Sequence, residues 1–186
     1  VAELIDWNQR MQNKGIRNEG RKNIDKDWKD LMQFKRTFTE PVPKDREESY
    51  SKAGITAFHG TAQFVATNTV RVTDKKNNME HIIEGKNILI ATGAKPAKLN
   101  IPGEEHVITS DQFLELEKLP SNIIFIGGGY ISFEFAHLSA RFGSKVTILH
   151  RGKMPLVAFD PDLVKMLLKK TQEVGINVRL LSSVKK

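Results

Sequence analysis

The chain has 186 residues, 39 % of them hydrophobic and 27 % charged, enough apolar material to bury a core in one large or two small globular domains. No apolar run approaches the roughly 18–20 residues a spanning helix needs. The opening VAELIDWNQR lacks the basic head and apolar stretch of a secretory signal, so no membrane is expected and the expected location is cytoplasmic. There is no cysteine, which excludes a disulfide framework, a thiolate metal site and thiol chemistry carried by these residues.

The net charge of +7 is unevenly placed. Residues 1–50 hold 11 Lys/Arg against 10 Asp/Glu, residues 51–120 hold 8 against 8, and residues 121–186 hold 10 against 4. Nucleic acid is not expected as a partner, because no regularly spaced basic helix or interleaved basic and aromatic motif accompanies the excess. A site for a phosphate-rich small molecule accounts for the same asymmetry. His59, His81, His106, His137 and His150 lack metal-ligand spacing, so no metal site is expected.

In chain order, Ala2, Leu4, Ile5, Trp7 and Met11 fall near helical spacing, with Gly15 as a stop and IRNEGRKNID as a polar connection. A second helix opens at Asp25 and places Trp28, Leu31, Met32 and Lys35 about a turn apart. Pro41 and Pro43 should break or kink it, and Gly54 ends what resumes. Residues 55–91 carry short runs of Ile, Val, Thr and Phe separated by polar residues. They predict an antiparallel meander of about three strands, a turn at TDKKNN, and a more buried strand over Asn87–Ala91. GAKPAKLNIPGEEHV is irregular, and TSDQFLELEKLP predicts a short helix capped by Ser110 or Asp111.

The remainder alternates: strand Ile123–Ile126, helix Gly128–Phe142, strand Lys145–Leu149, helix Asp162–Val174 and strand Asn177–Leu181. This is an α/β pattern, a Rossmann-like parallel βαβαβ unit preceded by helices and an antiparallel meander. The change of pattern near Pro120 marks the expected domain boundary.

Within that unit, Gly127-Gly128-Gly129-Tyr130-Ile131-Ser132 stands where Gly-x-Gly-x-x-Gly binds dinucleotides, after a strand and opening a helix. Gly127 permits the tight turn, and Gly129 lets the backbone approach a pyrophosphate at the positive end of the helix. Ser132 is small enough for the third position. At the end of the second strand an acid would favour the free ribose of NAD, whereas a cation accommodates the 2′-phosphate of NADP. His150 and Arg151 stand there, with Lys153 following, and predict NADP over NAD.

With these residues in view, the chain resembles the flavin-containing pyridine nucleotide–disulfide oxidoreductases, among them glutathione reductase, mercuric reductase and dihydrolipoyl dehydrogenase. The segments that carry the resemblance are DWKDLMQFKRTFTEPVP, HGTAQFV, NILIATGAKP, IPGEEHVITSDQFLELEKLPSNIIFIGGGYISFEFA and FDPDLVKMLLKKTQEVGINVRL. The resemblance implies residues 1–118 as part of an FAD-binding domain and 119–186 as the first half of an NAD(P)-binding domain. It implies that Gly127, Gly128 and Gly129 meet the coenzyme pyrophosphate, and that Ile131 and Glu134 line the nicotinamide side. Tyr130 would cover the flavin until nicotinamide displaces it, and Arg151, beside His150, would hold the 2′-phosphate. A second arginine of the family's pattern falls at Val157. Ala91, Thr92 and Gly93 would lie against FAD, and Thr61 and Ala62 would touch its adenine.

The implied activity is hydride transfer from NADPH to FAD and on to a disulfide or small-molecule acceptor, in a parent that is a homodimer. The family's first glycine fingerprint, its Cys-x4-Cys pair and its C-terminal dimerisation domain with a His-Glu pair are not in the sequence. It therefore reads as a fragment, with no catalytic nucleophile or base to name and no turnover expected of it alone. The reading from another class is a non-catalytic nucleotide-binding module on a Rossmann-like scaffold.

Overall fold

The computed structural model describes Glu3, Ile5, Asp6 and residues 26–185. Of the expected first helix only Glu3, Ile5 and Asp6 are described, and these are helical; the rest of it, Gly15 and the polar connection lie outside the described residues. Two compact units form, one from the residues up to Phe34 together with those from Ala97 on, the other from Lys35–Pro96. Packing thus groups residues 97–118 with the parallel strands.

The first unit is built on a parallel sheet of order β4-β5-β6, with β4 Asn122–Ile126, β5 Lys145–Leu149 and β6 Asn177–Arg179. Ile123 pairs with Val146, Phe125 with Ile148, Ile126 with Leu149, and Thr147 with Asn177. The apolar run KVTIL takes the central place, where Val146 and Ile148 are fully buried. Two helices connect the strands, α4 Tyr130–Arg141 and α5 Pro161–Glu173. From α4, Phe133 and Ala136 join Val146, Ile148 and Ile176 in one core.

A second core forms from residues far apart in sequence. Trp28 and Met32 of α1 (Trp28–Thr39) pack with Phe113 of the short helix α3 (Ser110–Phe113), and Phe125, Phe135, Leu138 and Phe142 close around them. The Trp28 ring meets Phe113 at 5.9 Å and Phe142 at 5.4 Å, both edge-on, and Phe113 stacks on Phe135 at 4.5 Å. Edge-on and offset geometries let the negative ring face meet a positive edge. The buried indole N–H of Trp28 donates to Leu116 O at 2.7 Å. The helical spacing of Trp28, Leu31 and Met32 therefore serves a core, as the sequence pattern implies. α3 is capped by Thr109, not by Ser110 or Asp111. The Thr109 hydroxyl accepts from Gln112 N–H and the Gln112 side chain accepts from Thr109 N–H, a capping box readable in TSDQ only with the register known.

A polar network closes the C-terminal end of α4. The buried Arg141 guanidinium donates twice to the Asp6 carboxylate, at 2.8 and 2.6 Å, and also to His137 O at 2.9 Å. The Lys26 ammonium donates to Arg141 O, placing a cation at the negative end of the helix. Thr171 donates its hydroxyl to Leu167 O, so it can only accept from His137 Nε2, at 2.9 Å. Arg141 Nη1 in turn donates to His137 Nδ1 at 3.0 Å. Both nitrogens are satisfied by the neutral Nε2–H ring. Burial, then the Arg141 guanidinium, hold His137 below the usual 6.5, Asp6 pulling the other way and Lys170 adding slightly.

The second unit carries α2 (Val42–Lys52) and an antiparallel sheet of order β1-β2-β3: Thr61–Ala66, Thr69–Thr73 and Glu80–Glu84. Pro41 caps α2 after the break from α1, as the two prolines require. Thr61 pairs with Thr73 and Val72 with His81. The turn at 74–79 is held by Asp74 N–H on Met79 O and by the Asp74 carboxylate on Lys76 N–H. Just before β1, a methyl on Gly60 would stand 2.3 Å from Thr73 O, so only glycine lets the two backbones approach.

The expected strand over Asn87–Ala91 is not formed. The run is extended but unladdered, and Leu89 is 90 % exposed. A strand needs a neighbouring edge to satisfy its amides, and among the described residues none pairs with this run. β6 also ends at Arg179, earlier than expected.

Replacing Trp28 by Ala should cost about 3–5 kcal/mol, because it opens a cavity and orphans Leu116 O. Denaturant unfolding measures this, and a cost below about 1 kcal/mol would show the second core to be dispensable. Because the folded pKa of His137 is depressed, the stability it contributes is present above pH 6.5 and is lost as pH falls through the folded value. The melting temperature should therefore fall more steeply below that pH in the wild type than in His137→Gln, which keeps a donor toward Thr171. Parallel pH profiles for the two proteins would refute this.

Candidate nucleotide-binding site

β4 leaves the sheet at Ile126, and Gly127 N–H still donates to Leu149 O at 2.8 Å, extending the parallel register by one residue. Gly127 then turns with φ +117°, a conformation that side chains strain to adopt. Space is not its constraint, since an added Cβ would meet only Ser132 Oγ at 3.9 Å, ordinary contact. Ser132 thus fills the third fingerprint position without crowding the turn.

Gly128 is constrained by space. A methyl there would lie 2.7 Å from the His150 ring and 2.8 Å from Pro155 Cβ. Gly129 is constrained by neither, since φ is −87° and a methyl would meet nothing within 4 Å. It is the N-cap of α4, and no side chain caps that helix. By contrast, Asp27 accepts from amides at the start of α1, Thr109 caps α3 and Asp160 caps α5. The first amides of α4 point out of the turn with the positive end of the helix behind them, an arrangement that favours an anion.

The turn opens on a cleft of about 630 Å³. Gly127–Tyr130 form one wall, Leu149, His150 and Arg151 another, and Leu156–Phe159 and Ser182–Val184 complete it with Leu99 and Ile101. Leu156 N–H donates to Gly128 O at 2.9 Å, and the buried Pro155 packs on the same glycine, so the loop after β5 is fastened to the turn. Leu156 holds φ +52°, an uncommon conformation for a branched residue, within this attachment. Pro155 and Leu156 have no signature in the sequence beyond belonging to a loop. Ser182–Val184 enter the cleft only because Ser182 N–H donates to His150 O.

The expected site residues divide between the two units. In the first, Gly127, Gly128, Gly129, Tyr130, His150 and Arg151 line the one cleft. Ile131 and Glu134 lie on the exposed side of α4, outside that lining. Tyr130 is exposed, as is Arg151, while His150 is half-buried. In the second unit, Thr61 and Ala62 lie on the exposed edge strand β1, and Ala91, Thr92 and Gly93 lie in an exposed extended segment. An open strand edge and an open segment leave main-chain groups available to a flat polar ligand. Among the described residues, no group of three or more His, Asp or Glu is placed to hold a metal ion, and no helix is long and apolar enough to cross a membrane.

Residues 9–186 match the family described as pyridine nucleotide-disulphide oxidoreductase. The chain belongs to this family. Mercuric reductase from Bacillus cereus is 35 % identical over 155 residues, covering 80 % of this chain and 24 % of that protein. Glutathione reductase from Burkholderia cepacia is 38 % identical over 128 residues, 69 % of this chain and 27 % of that protein. Dihydrolipoyl dehydrogenase from Mycoplasma genitalium is 30 % identical, covering 95 % of this chain and 38 % of that protein. Among solved structures, the Cu(II) complex of the HOCl-induced flavoprotein disulfide reductase RclA from Escherichia coli superposes with a TM-score of 0.78 at 27 % identity. It covers 98 % of this chain and 39 % of that one. The chain therefore spans between a quarter and two fifths of these relatives, and it shares their fold: an antiparallel three-stranded sheet and a parallel βαβαβ unit. The family uses FAD and NAD(P)H.

Two glycine substitutions separate space from ligand contact. Gly128→Ala should destabilise the unit by about 1–3 kcal/mol through overpacking against His150 and Pro155. Gly129→Ala should cost less than about 1 kcal/mol, the difference between Gly and Ala as an N-cap, yet weaken dinucleotide binding because its methyl enters the open side of the turn. Thermal unfolding and a coenzyme titration on both variants check this, and unaltered binding in Gly129→Ala would contradict it.

Proposed function

We propose that the chain is part of an FAD-dependent oxidoreductase that takes hydride from NADPH and passes electrons through FAD to a disulfide or similar acceptor. The observation that carries this reading is the bare turn at Gly127–Gly129, where an uncapped helix opens on a cleft with Arg151 on its wall. We propose residues 1–118 for the flavin side and 119–186 for the nicotinamide side. When bound, the two cofactors supply and accept the hydride, and the protein's part is to bind and orient them.

In this reading the amides at the start of α4 face the pyrophosphate, and the apolar stretch Leu156–Phe159 covers the adenosine half. The Arg151 guanidinium accepts the 2′-phosphate, for which its planar fork is suited. Val157 is exposed and uncharged, so Arg151 carries that selection with little help from the opposite wall. Ile131 and Glu134 face the nicotinamide side, Tyr130 shields the flavin, and Thr61, Ala62 and Ala91–Gly93 contact FAD. Since the sequence contains no cysteine, no dithiol within it relays electrons, and these residues alone should reduce no disulfide.

Calorimetric titration with NADPH and NADH tests the reading. NADPH should bind more tightly, and Arg151→Gln should lower its affinity about tenfold, near 1.4 kcal/mol, with NADH little changed. No heat from either coenzyme at saturation would end the nucleotide reading. Absence of flavin from the purified full-length protein would leave the non-catalytic module in its place.

A further inference from the structure

His150 stands in the cleft wall at the position expected to meet the coenzyme, but its ring is committed elsewhere. Its Nε2 donates to Met154 O at 2.9 Å, across the loop that follows β5. The ring faces lie against bare backbone: a methyl on Gly128 would stand 2.7 Å from its Cγ and Nδ1, and a methyl on Gly152 would stand 2.7 Å from its Nε2. The imidazole is a wedge between two glycines, thin enough to fit where an sp³ side chain would not and carrying the donor that Met154 O requires.

That wedge determines where Arg151 begins. His150 N–H donates to Arg179 O at 2.8 Å and His150 O accepts from Ser182 N–H at 3.0 Å. Gly152 O accepts from Leu181 N–H at 3.1 Å. The residues on both sides of Arg151 are therefore tied to the chain after β6, and the ring beneath them sets the height of the loop over the glycine turn. Arg151 itself is exposed, held only through its neighbours.

We propose that His150 is a positioning residue for recognition of a 2′-phosphorylated adenine nucleotide, acting through Arg151 and Gly128 without touching the ligand. The proposal rests on the nucleotide reading above and assigns His150 a different part from direct contact. It makes a specific demand: loss of the ring should harm the 2′-phosphate contact selectively, because that contact depends on where Arg151 starts, whereas the amides of α4 do not.

The test uses the full-length protein and two probes that differ only in the 2′-phosphate, adenosine 2′,5′-bisphosphate and 5′-AMP, titrated calorimetrically, with circular dichroism to confirm folding. The wild type should prefer the bisphosphate. His150→Ala should reduce that preference about tenfold while changing 5′-AMP affinity by less than about threefold, and His150→Gln, whose amide can reach Met154 O, should restore most of it. His150→Asn, too short for that reach, serves as a second loss variant should the alanine protein not fold. A preference kept in both loss variants and abolished in Arg151→Gln would overturn the positioning role alone. An equal loss for both probes would reduce it to general support of the loop. A wild type that binds neither probe would remove the nucleotide reading, and the proposal with it.

Discussion

The site depends on one hydrogen-bonded register. β4 and β5 run parallel with Ile126 beside Leu149, and the Gly127 amide continues the ladder onto Leu149 O. Parallel pairing ends both strands on the same side of the sheet. The segment after β4 and the segment after β5 therefore leave side by side, and the glycine turn shares a cleft with the loop that carries Arg151. A one-residue slip would move Val146 and Ile148 out of the core, so burial of those two side chains also holds the cleft in place.

The surroundings supply rigidity to that register from two sides. One core, of Phe133, Ala136, Val146, Ile148 and Ile176, seats α4 on the central strand. The other, around Trp28 and Phe113, seats the opposite flank of α4 against residues that precede the sheet in sequence. At the far end of the helix, Arg141 collects Asp6, His137 and, through its carbonyl, Lys26. Helix α4 is thus capped by charge and packing at its C-terminal end while its N-terminal end is left without a side-chain cap. Contrast between a fully satisfied end and an open end is what a binding helix requires, because orphan amides are costly unless water or an anion meets them.

The second unit shows what an apolar run becomes without a partner edge. β1, β2 and β3 form because each finds an antiparallel neighbour, and Gly60 lets the first two backbones close together. NILIA is as apolar as NIIFI, yet only the latter is a strand; Leu89 is open to solvent and Phe125 joins both cores. Composition of a short segment does not distinguish the two, because the deciding ladder lies outside the segment.

What the sequence by itself determined is the set of elements and the fingerprint. Helical spacing at Trp28, Leu31 and Met32, proline breaks at Pro41 and Pro43, alternation after Pro120 and the glycine triplet are local properties of the chain, and local physics reads them. Family membership follows from those elements in order. Tertiary structure alone decided the parts that depend on atoms brought within a few ångströms from distant positions. It made Gly128 obligatory through the His150 ring, turned His150 from a surface cation into a wedge, chose Thr109 as the cap of α3, and left Asn87–Ala91 unpaired. Steric exclusion and hydrogen-bond satisfaction act between neighbours in space, and a linear sequence does not say which those neighbours are.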